Sequence, residues 1–193
     1  MSFTWSTVAF WLVIMLMLRY RTWYERSRSQ RLNAFFKDWL TVGAYHESGH
    51  VVLALRFFPE RIVQVRLRRR LMWTQLGPAI VKDGGTQMIP GEIRKEDEVA
   101  YLAFLYGGLK GEEHSPNGAS AHGASDDLRE ARTSAEHIAG TSAETMLLRA
   151  NELADEVLEE NLPLFGRLVE ELIRNHHLSG DELRALWASY HQV

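Results

Sequence analysis

Ala44-Tyr45-His46-Glu47-Ser48-Gly49-His50-Val51-Val52-Leu53-Ala54-Leu55 is the stretch on which the reading of this chain turns. Apolar positions recur at helical spacing from Asp38 to Phe58, through Ala44, Val51 and Leu55, and Pro59 closes the run. The spacing predicts one helix over 38–58. Within it lies H-E-x-x-H. Histidines four apart stand about 40° apart on one helical face, so both can reach a single ion. Glu47 sits beside that face without belonging to it, where a carboxylate can carry a proton to and from a reacting group. Gly49 costs about 1 kcal/mol against Ala inside a helix. A residue with no side chain there predicts a second backbone or a ligand in close approach.

The rest of the composition narrows the chemistry. The chain has 193 residues, 46% of them hydrophobic and 24% charged, which suits one folded domain rather than a disordered segment. Cysteine is absent, which removes disulfides, thiolate metal sites and Cys nucleophiles together. Any metal must be held by imidazole and carboxylate, and 8 histidines are present. Zinc suits such a set: catalytic sites use three protein ligands and leave a position open. For the third ligand, His114, His122, Asp126 and Asp127 form the nearest group, and spacing does not choose among them. The two aspartates also fit the first turn of a helix, where they would serve its dipole. A formal net charge of -3 gives no reason to expect a nucleic-acid partner.

Met1 to Leu18 carries no charge, and Val8 to Leu18 is unbroken apolar. Arg19, Arg21, Arg26, Arg28 and Arg31 follow, with Trp5, Trp11, Tyr20, Trp23 and Tyr24 as interfacial aromatics. A span needs about 20 residues, and flanking arginines can snorkel to make up the length. A signal peptide would want a basic start and an A-x-A site, and neither is present. A one-sided oligomerisation helix would not be apolar all round. The reading is a membrane anchor over 1–21, a basic neck over 22–38 and a folded domain over 39–193. The positive-inside rule puts that domain in the cytoplasm, with a bacterial inner membrane the natural setting.

Beyond Pro59 the pattern changes period. Arg61 to Trp73 reads as a strand through Ile62, Val63, Val65 and Leu67, and its Arg66, Arg68, Arg69 and Arg70 read as a solvated strand face. Gly77 to Pro90 reads as one or two short strands broken at Gly84-Gly85. Glu92 to Glu113 reads as a helix, Ser115 to Gly123 as a loop, and helices follow over 125–139, 142–160, 162–176 and 181–190. Strands are expected only early, so the domain is mostly α with a small β-sheet.

Several blocks together resemble the FtsH-type membrane-bound zinc metallopeptidase domain. Ala44 to His50 is similar to that family's A-Y-H-E-A-G-H signature, and Gly123-Ala124-Ser125-Asp126-Asp127-Leu128 to its G-A-S-N-D-L. Leu105-Tyr106-Gly107-Gly108-Leu109-Lys110-Gly111-Glu112-Glu113 resembles its L-Y-G-G-R-x-A-E-E. Gly85-Thr86-Gln87-Met88-Ile89-Pro90 looks like its edge strand, and Leu178 to Leu183 like its closing helix. The resemblance covers about residues 40–190, in the family's order. It implies a zincin-like helical peptidase domain behind the anchor, with Zn2+ on His46, His50 and Asp127 and Glu47 as the catalytic base. It also implies an edge strand, Gly85, Thr86, Gln87 and Met88, that pairs with an extended substrate. Glu112 or Glu113 would orient a ligating histidine from behind.

The chain departs from the family in two places. No G-x-x-x-x-G-K-[ST] phosphate loop occurs, so no ATPase module and no ATP site are expected. The family's long connection after the aspartate helix is cut to about Gly140-Thr141. The resulting expectation is a membrane-anchored, ATP-independent zinc endopeptidase acting on unfolded or flexible protein substrates. The alternative is a non-proteolytic membrane interaction protein with a structural zinc. That protein could be a homo-oligomer, or the partner of a separate FtsH-like AAA ATPase. An intact Glu47 favours the enzyme, since a binding protein has no need of a carboxylate beside its metal.

Overall fold

The computed structural model describes residues 17, 19–21, 40–67, 69–74, 77–82, 85–116, 118, 119 and 124–191. Two units are distinguished, Met1–Trp39 and Leu40–Val193. Of the first, Met17 and Arg19 to Arg21 are described, and they are helical and exposed. Nearly all of the expected anchor and the whole of the neck therefore lie outside the described residues. Among the described residues no helix is long and apolar enough to cross a membrane.

The second unit is mostly helical, with a small sheet. Helix α1 spans residues 40–57. It is buried on every side from Ser48 to Leu55, which is what an unbroken apolar run demands of a helix. Pro59 opens a single 3-10 turn, Pro59–Arg61, and the chain enters β1, Ile62–Arg66. The expected single strand from Arg61 to Trp73 is in fact two. β1 ends at Arg66, and β2, Arg69–Thr74, begins a separate hairpin with β3, Gly77–Lys82. β4, Gly85–Met88, then returns to pair antiparallel with β1. The Gly84-Gly85 break divides β3 from β4 as expected, because β3 and β4 belong to different sheets.

One strand was not legible as such. β5, His177–Ser179, pairs antiparallel with β1 and makes the order β4-β1-β5, so strands are not confined to the early part of the chain. Leu178-Ser179-Gly180 read as punctuation because three residues carry no period. Ser179 does punctuate: its hydroxyl accepts from the Glu182 amide at 3.4 Å while the Glu182 carboxylate accepts from the Ser179 amide at 2.7 Å. This capping box starts α6, Gly180–His191, directly out of the strand.

The remaining helices are α2, Glu98–Glu113, α3, Ser125–Ala139, α4, Ala143–Glu160, and α5, Leu162–Asn175. Each buries a stripe at helical spacing, such as Leu147, Ala150, Ala154, Val157 and Leu158 in α4. α2 begins later than expected. The stretch before it has no regular structure up to a 3-10 turn, Lys95–Asp97, and the Arg61 side chain donates to the Glu92 carbonyl there at 2.9 Å. A side chain at Gly91 would strike that guanidinium at 2.2 Å.

The pair α1 and α2 sets the frame, and glycine permits it. A Cβ built on Gly49 would lie 1.9 Å from the Gly107 carbonyl oxygen, and one on Gly107 would lie 2.9 Å from the Gly49 backbone. The two helices therefore touch backbone to backbone, the close approach that a glycine inside an apolar helix predicts. Gly49→Ala should lower stability by at least ~2 kcal/mol, more than its gain in helix propensity, because backbone rather than a movable side chain must give way. Gly166, exposed in α5 with nothing within 4 Å of its Cβ position, is the control. Gly166→Ala should raise stability by about 0.5–1 kcal/mol. Denaturant melts of the two variants should move in opposite directions.

Candidate metal centre

Three elements deliver the polar cluster. α1 presents His46 and His50 one turn apart, and the first turn of α3 presents Asp127. α2 crosses behind the imidazoles. Gly108 is the point of contact, since a Cβ there would meet His46 Cε1 at 2.4 Å and His50 Nε2 at 2.6 Å. Room for both rings thus depends on a second glycine of the Tyr106-Gly107-Gly108 run.

The donor atoms form a nearly equilateral triangle. His46 Nε2 and His50 Nε2 lie 3.2 Å apart, and Asp127 Oδ2 lies 3.2 Å from the first and 3.3 Å from the second. A tetrahedral ion with ligands at 2.0–2.1 Å has ligand–ligand edges of ~3.3–3.4 Å. The cluster matches that edge on all three sides.

The far nitrogens fix what the near ones offer. His50 Nδ1 lies 2.8 Å from the Phe104 carbonyl oxygen, which can only accept, so Nδ1 carries the proton and donates. His46 Nδ1 lies 2.9 Å from Glu112 Oε1, and Glu112 is wholly buried. With both Nδ1 atoms donating, a neutral imidazole turns its Nε2 lone pair toward Asp127. Two lone pairs and a carboxylate oxygen converging at 3.2–3.3 Å repel unless a cation or a proton stands between them. Without metal the proton is on His46. Burial opposes its charge, but hydrogen bonds to Asp127 and Glu112 and the field of Glu47 outweigh burial and raise its pKa to about 9. Burial likewise disfavours the Asp127 anion, yet the two histidines overcome it and hold the carboxyl well below its usual range.

Glu47 stands beside the triangle and outside it. Its carboxylate accepts from the Thr86 hydroxyl at 3.0 Å, which ties the acid to β4. Ser48, the next residue, is fully buried, and its hydroxyl finds no hydrogen-bond partner among the described residues.

The expected site residues separate cleanly. Of the four candidates for third ligand, Asp127 is in the cluster. Asp126 is exposed and pairs with Arg129 at 2.9 Å. His114 lies 3.7 Å from Glu159 and packs on the Phe165 ring, and His122 is outside the described residues. Of Glu112 and Glu113, Glu112 orients His46. Glu113 instead pairs with Lys110, which also meets Asp155 at 2.9 Å. Gly85 to Met88 form β4, which among the described residues is paired on one side only, with β1. Two contacts have no counterpart in the sequence: the Phe104 carbonyl, because a backbone acceptor leaves no trace there, and the bond to Glu47 from Thr86, a residue expected only as a substrate-strand position.

No protein-family model matches the chain, and no curated protein sequence matches it. The site therefore stands on its own geometry.

Two outcomes follow. Asp127→Ala should lose most bound metal, while Asp126→Ala keeps it; Glu112→Gln should weaken binding about 10–100-fold by loosening the His46 ring. Metal analysis after dialysis separates the three. The second outcome concerns protons. His46 is protonated in the metal-free protein below about 9, so an incoming cation must displace that proton. Affinity should rise with pH up to that point and level off above it. Calorimetry at pH 7 in buffers of different ionisation heat should show about one proton released per ion.

Proposed function

We propose that the chain is a membrane-anchored zinc endopeptidase that cleaves unfolded or flexible polypeptides without ATP. The observation that carries the reading is a carboxylate, Glu47, held by Thr86 beside a triangle of donors with tetrahedral edges. His46, His50 and Asp127 would hold the ion, and the set fits zinc: two imidazoles and one carboxylate, with a fourth side left open. Zinc, when bound, polarises a carbonyl and acidifies water. The resemblance to the FtsH-type zincin-like peptidases supports the same assignment, and so does the sequence-level case for an N-terminal anchor.

Each residue has a task in such a reaction. Glu47 takes a proton as the nucleophile attacks and returns it to the leaving amine. Thr86 keeps its carboxylate from swinging away. Glu112 and the Phe104 carbonyl hold the two imidazoles in the tautomer that leaves Nε2 free to bind. Among the described residues β4 pairs only with β1, so it offers a strand edge beside Glu47 that an extended substrate can complete, with Gly85 to Met88 as the receiving positions. Only a chain that is already extended can do so, which fits a protein with no phosphate loop to drive unfolding.

A cavity of about 380 Å³ opens from the same strand and gives the substrate side chain a place. Phe58, Met88, Ile89, Tyr101 and Phe104 line it, with Arg61 at one side. Thr86, whose hydroxyl holds Glu47, also lines it, so the cavity adjoins the residue that positions the candidate base. Its lining predicts a large apolar or aromatic residue next to the cleaved bond.

Glu47→Gln tests the chemistry. Gln is nearly isosteric and still accepts from Thr86, so fold and zinc content should stay, while cleavage of an unfolded protein falls by at least ~10²–10⁴-fold. Full cleavage by the variant would end the enzyme reading. Met88→Trp tests the cavity: filling it should move the preference of kcat/KM from Phe or Leu toward Ala at the adjoining position, by about 10-fold or more. Peptide-library profiling of the two proteins provides the comparison.

A further inference from the structure

One charge lines the cavity beside β4, and the chemistry of the cleaved bond does not use it. Among the described residues that line the cavity, Arg61 alone is charged. Two hydroxyls share the wall, and both are engaged: Thr86 donates to Glu47 at 3.0 Å and Tyr101 to Glu130 at 2.7 Å. Arg61 is thus the one side chain there with donors to spare.

The guanidinium is held in place without being neutralised. One amino group donates to the Glu92 carbonyl at 2.9 Å, and its carbon stands 6.0 Å from the centre of the Phe58 ring. A guanidinium has five N–H donors, so most of them stay uncommitted. Among the described residues no carboxylate pairs with it, and the nearby acids Glu60 and Glu92 are exposed. Gly91 lies against it and has no side chain to cover it. The backbone is anchored as well. The Arg61 amide donates to the Phe58 carbonyl at 2.9 Å, and the Arg61 carbonyl accepts from the Ile89 amide at 2.7 Å. The arginine is therefore tied to the chain that continues β4.

We propose that Arg61 receives a carboxylate of the substrate, so that cleavage falls close to a negative group. Thr86, which holds Glu47, and Met88, paired with the residue after Arg61, stand two residues apart on β4, about 7 Å. The carboxylate accordingly belongs to one of the first few residues beyond the cleaved bond. A neutral side chain filling the cavity would strip water from the guanidinium and leave its charge unpaired, which is costly. A carboxylate turns the same burial into a charge-assisted, bidentate pair. Apolar walls with one guanidinium suit an apolar body that carries a negative end. A C-terminal Leu or Phe is such a group, through its α-carboxylate, and an Asp or Glu side chain is the other source of the same chemistry. The inference rests on the peptidase reading in calling the ligand a substrate, but the preference for an anion comes from the cavity itself.

Three dye-labelled peptides provide the test: Ala-Ala-Phe with a free carboxyl end, the same peptide amidated, and amidated Ala-Ala-Glu. Their binding to the full-length Glu47→Gln protein, loaded with zinc, is followed by fluorescence anisotropy. At least one of the two acids should bind about 10–100-fold more tightly than the neutral peptide. Preference for the free end assigns the site to chain termini, and preference for Glu assigns it to internal acids. Arg61→Met should erase the difference. Arg61→Lys keeps the charge but not the fork and should reduce it at least about threefold, an arm that stands even if the Met variant fails to fold. Both variants should keep their zinc. Equal binding of the three peptides, or no binding below about 1 mM, overturns the proposal. So does an acid preference that survives Arg61→Met, which would place the carboxylate on the metal. Restoring Glu47 separates the two readings. Acid-selective binding without cleavage ends the peptidase reading alone, and cleavage indifferent to the carboxylate ends this proposal alone.

Discussion

The architecture depends on two helices being able to touch without side chains between them. Gly49 and Gly107 let α1 and α2 meet backbone to backbone, and Gly108 then gives the imidazoles the space a methyl group would take. The crossing sets the depth at which His46 and His50 lie and brings Glu112 and the Phe104 carbonyl within hydrogen-bond range of them. Packing and site chemistry are thus one constraint. A substitution that widened this crossing by a side chain would move the two histidines and their supports apart together, since the supports sit on α2 and the histidines on α1.

Electrostatics completes what packing begins. Three donors at 3.2–3.3 Å are stable only around positive charge, and the protein supplies a proton on His46 when nothing else does. Glu112 and Asp127 both stabilise that proton, and the same two carboxylates would stabilise a divalent cation. The site is consequently pre-organised in its metal-free form, with much of the cost of gathering like-charged or lone-pair donors already met by folding.

Much of this was readable in order of signal strength. The histidine pair and the carboxylate beside it show in five residues because helical geometry turns spacing into position, and the late helices show because their stripes are long. Asp127 could be told from Asp126 only through resemblance, since both sit in one helical turn; the structure separates them by which one faces inward and which meets Arg129. Glu112 and Glu113 were inseparable for the same reason. β5 and the division of the Arg61–Trp73 stretch were hidden, because three residues have no period and because β-formers run through the turn between two sheets. A backbone carbonyl such as that of Phe104 has no sequence signature at all.

β1 lies between β4, which follows soon after it, and β5, which arrives more than a hundred residues later. During synthesis the helices bearing His46, His50 and Asp127 therefore exist well before the strand that completes the sheet. The ligands can gather while β1 still has one open edge, and the last helix, tied back by Arg184 to the carbonyls of Pro59 and Ile62, shuts it. The C-terminal segment thus acts as the clasp of the domain. A nascent chain stalled before His177 would carry every ligand of the site and yet present a free strand edge to its neighbours, the form most exposed to wrong pairing.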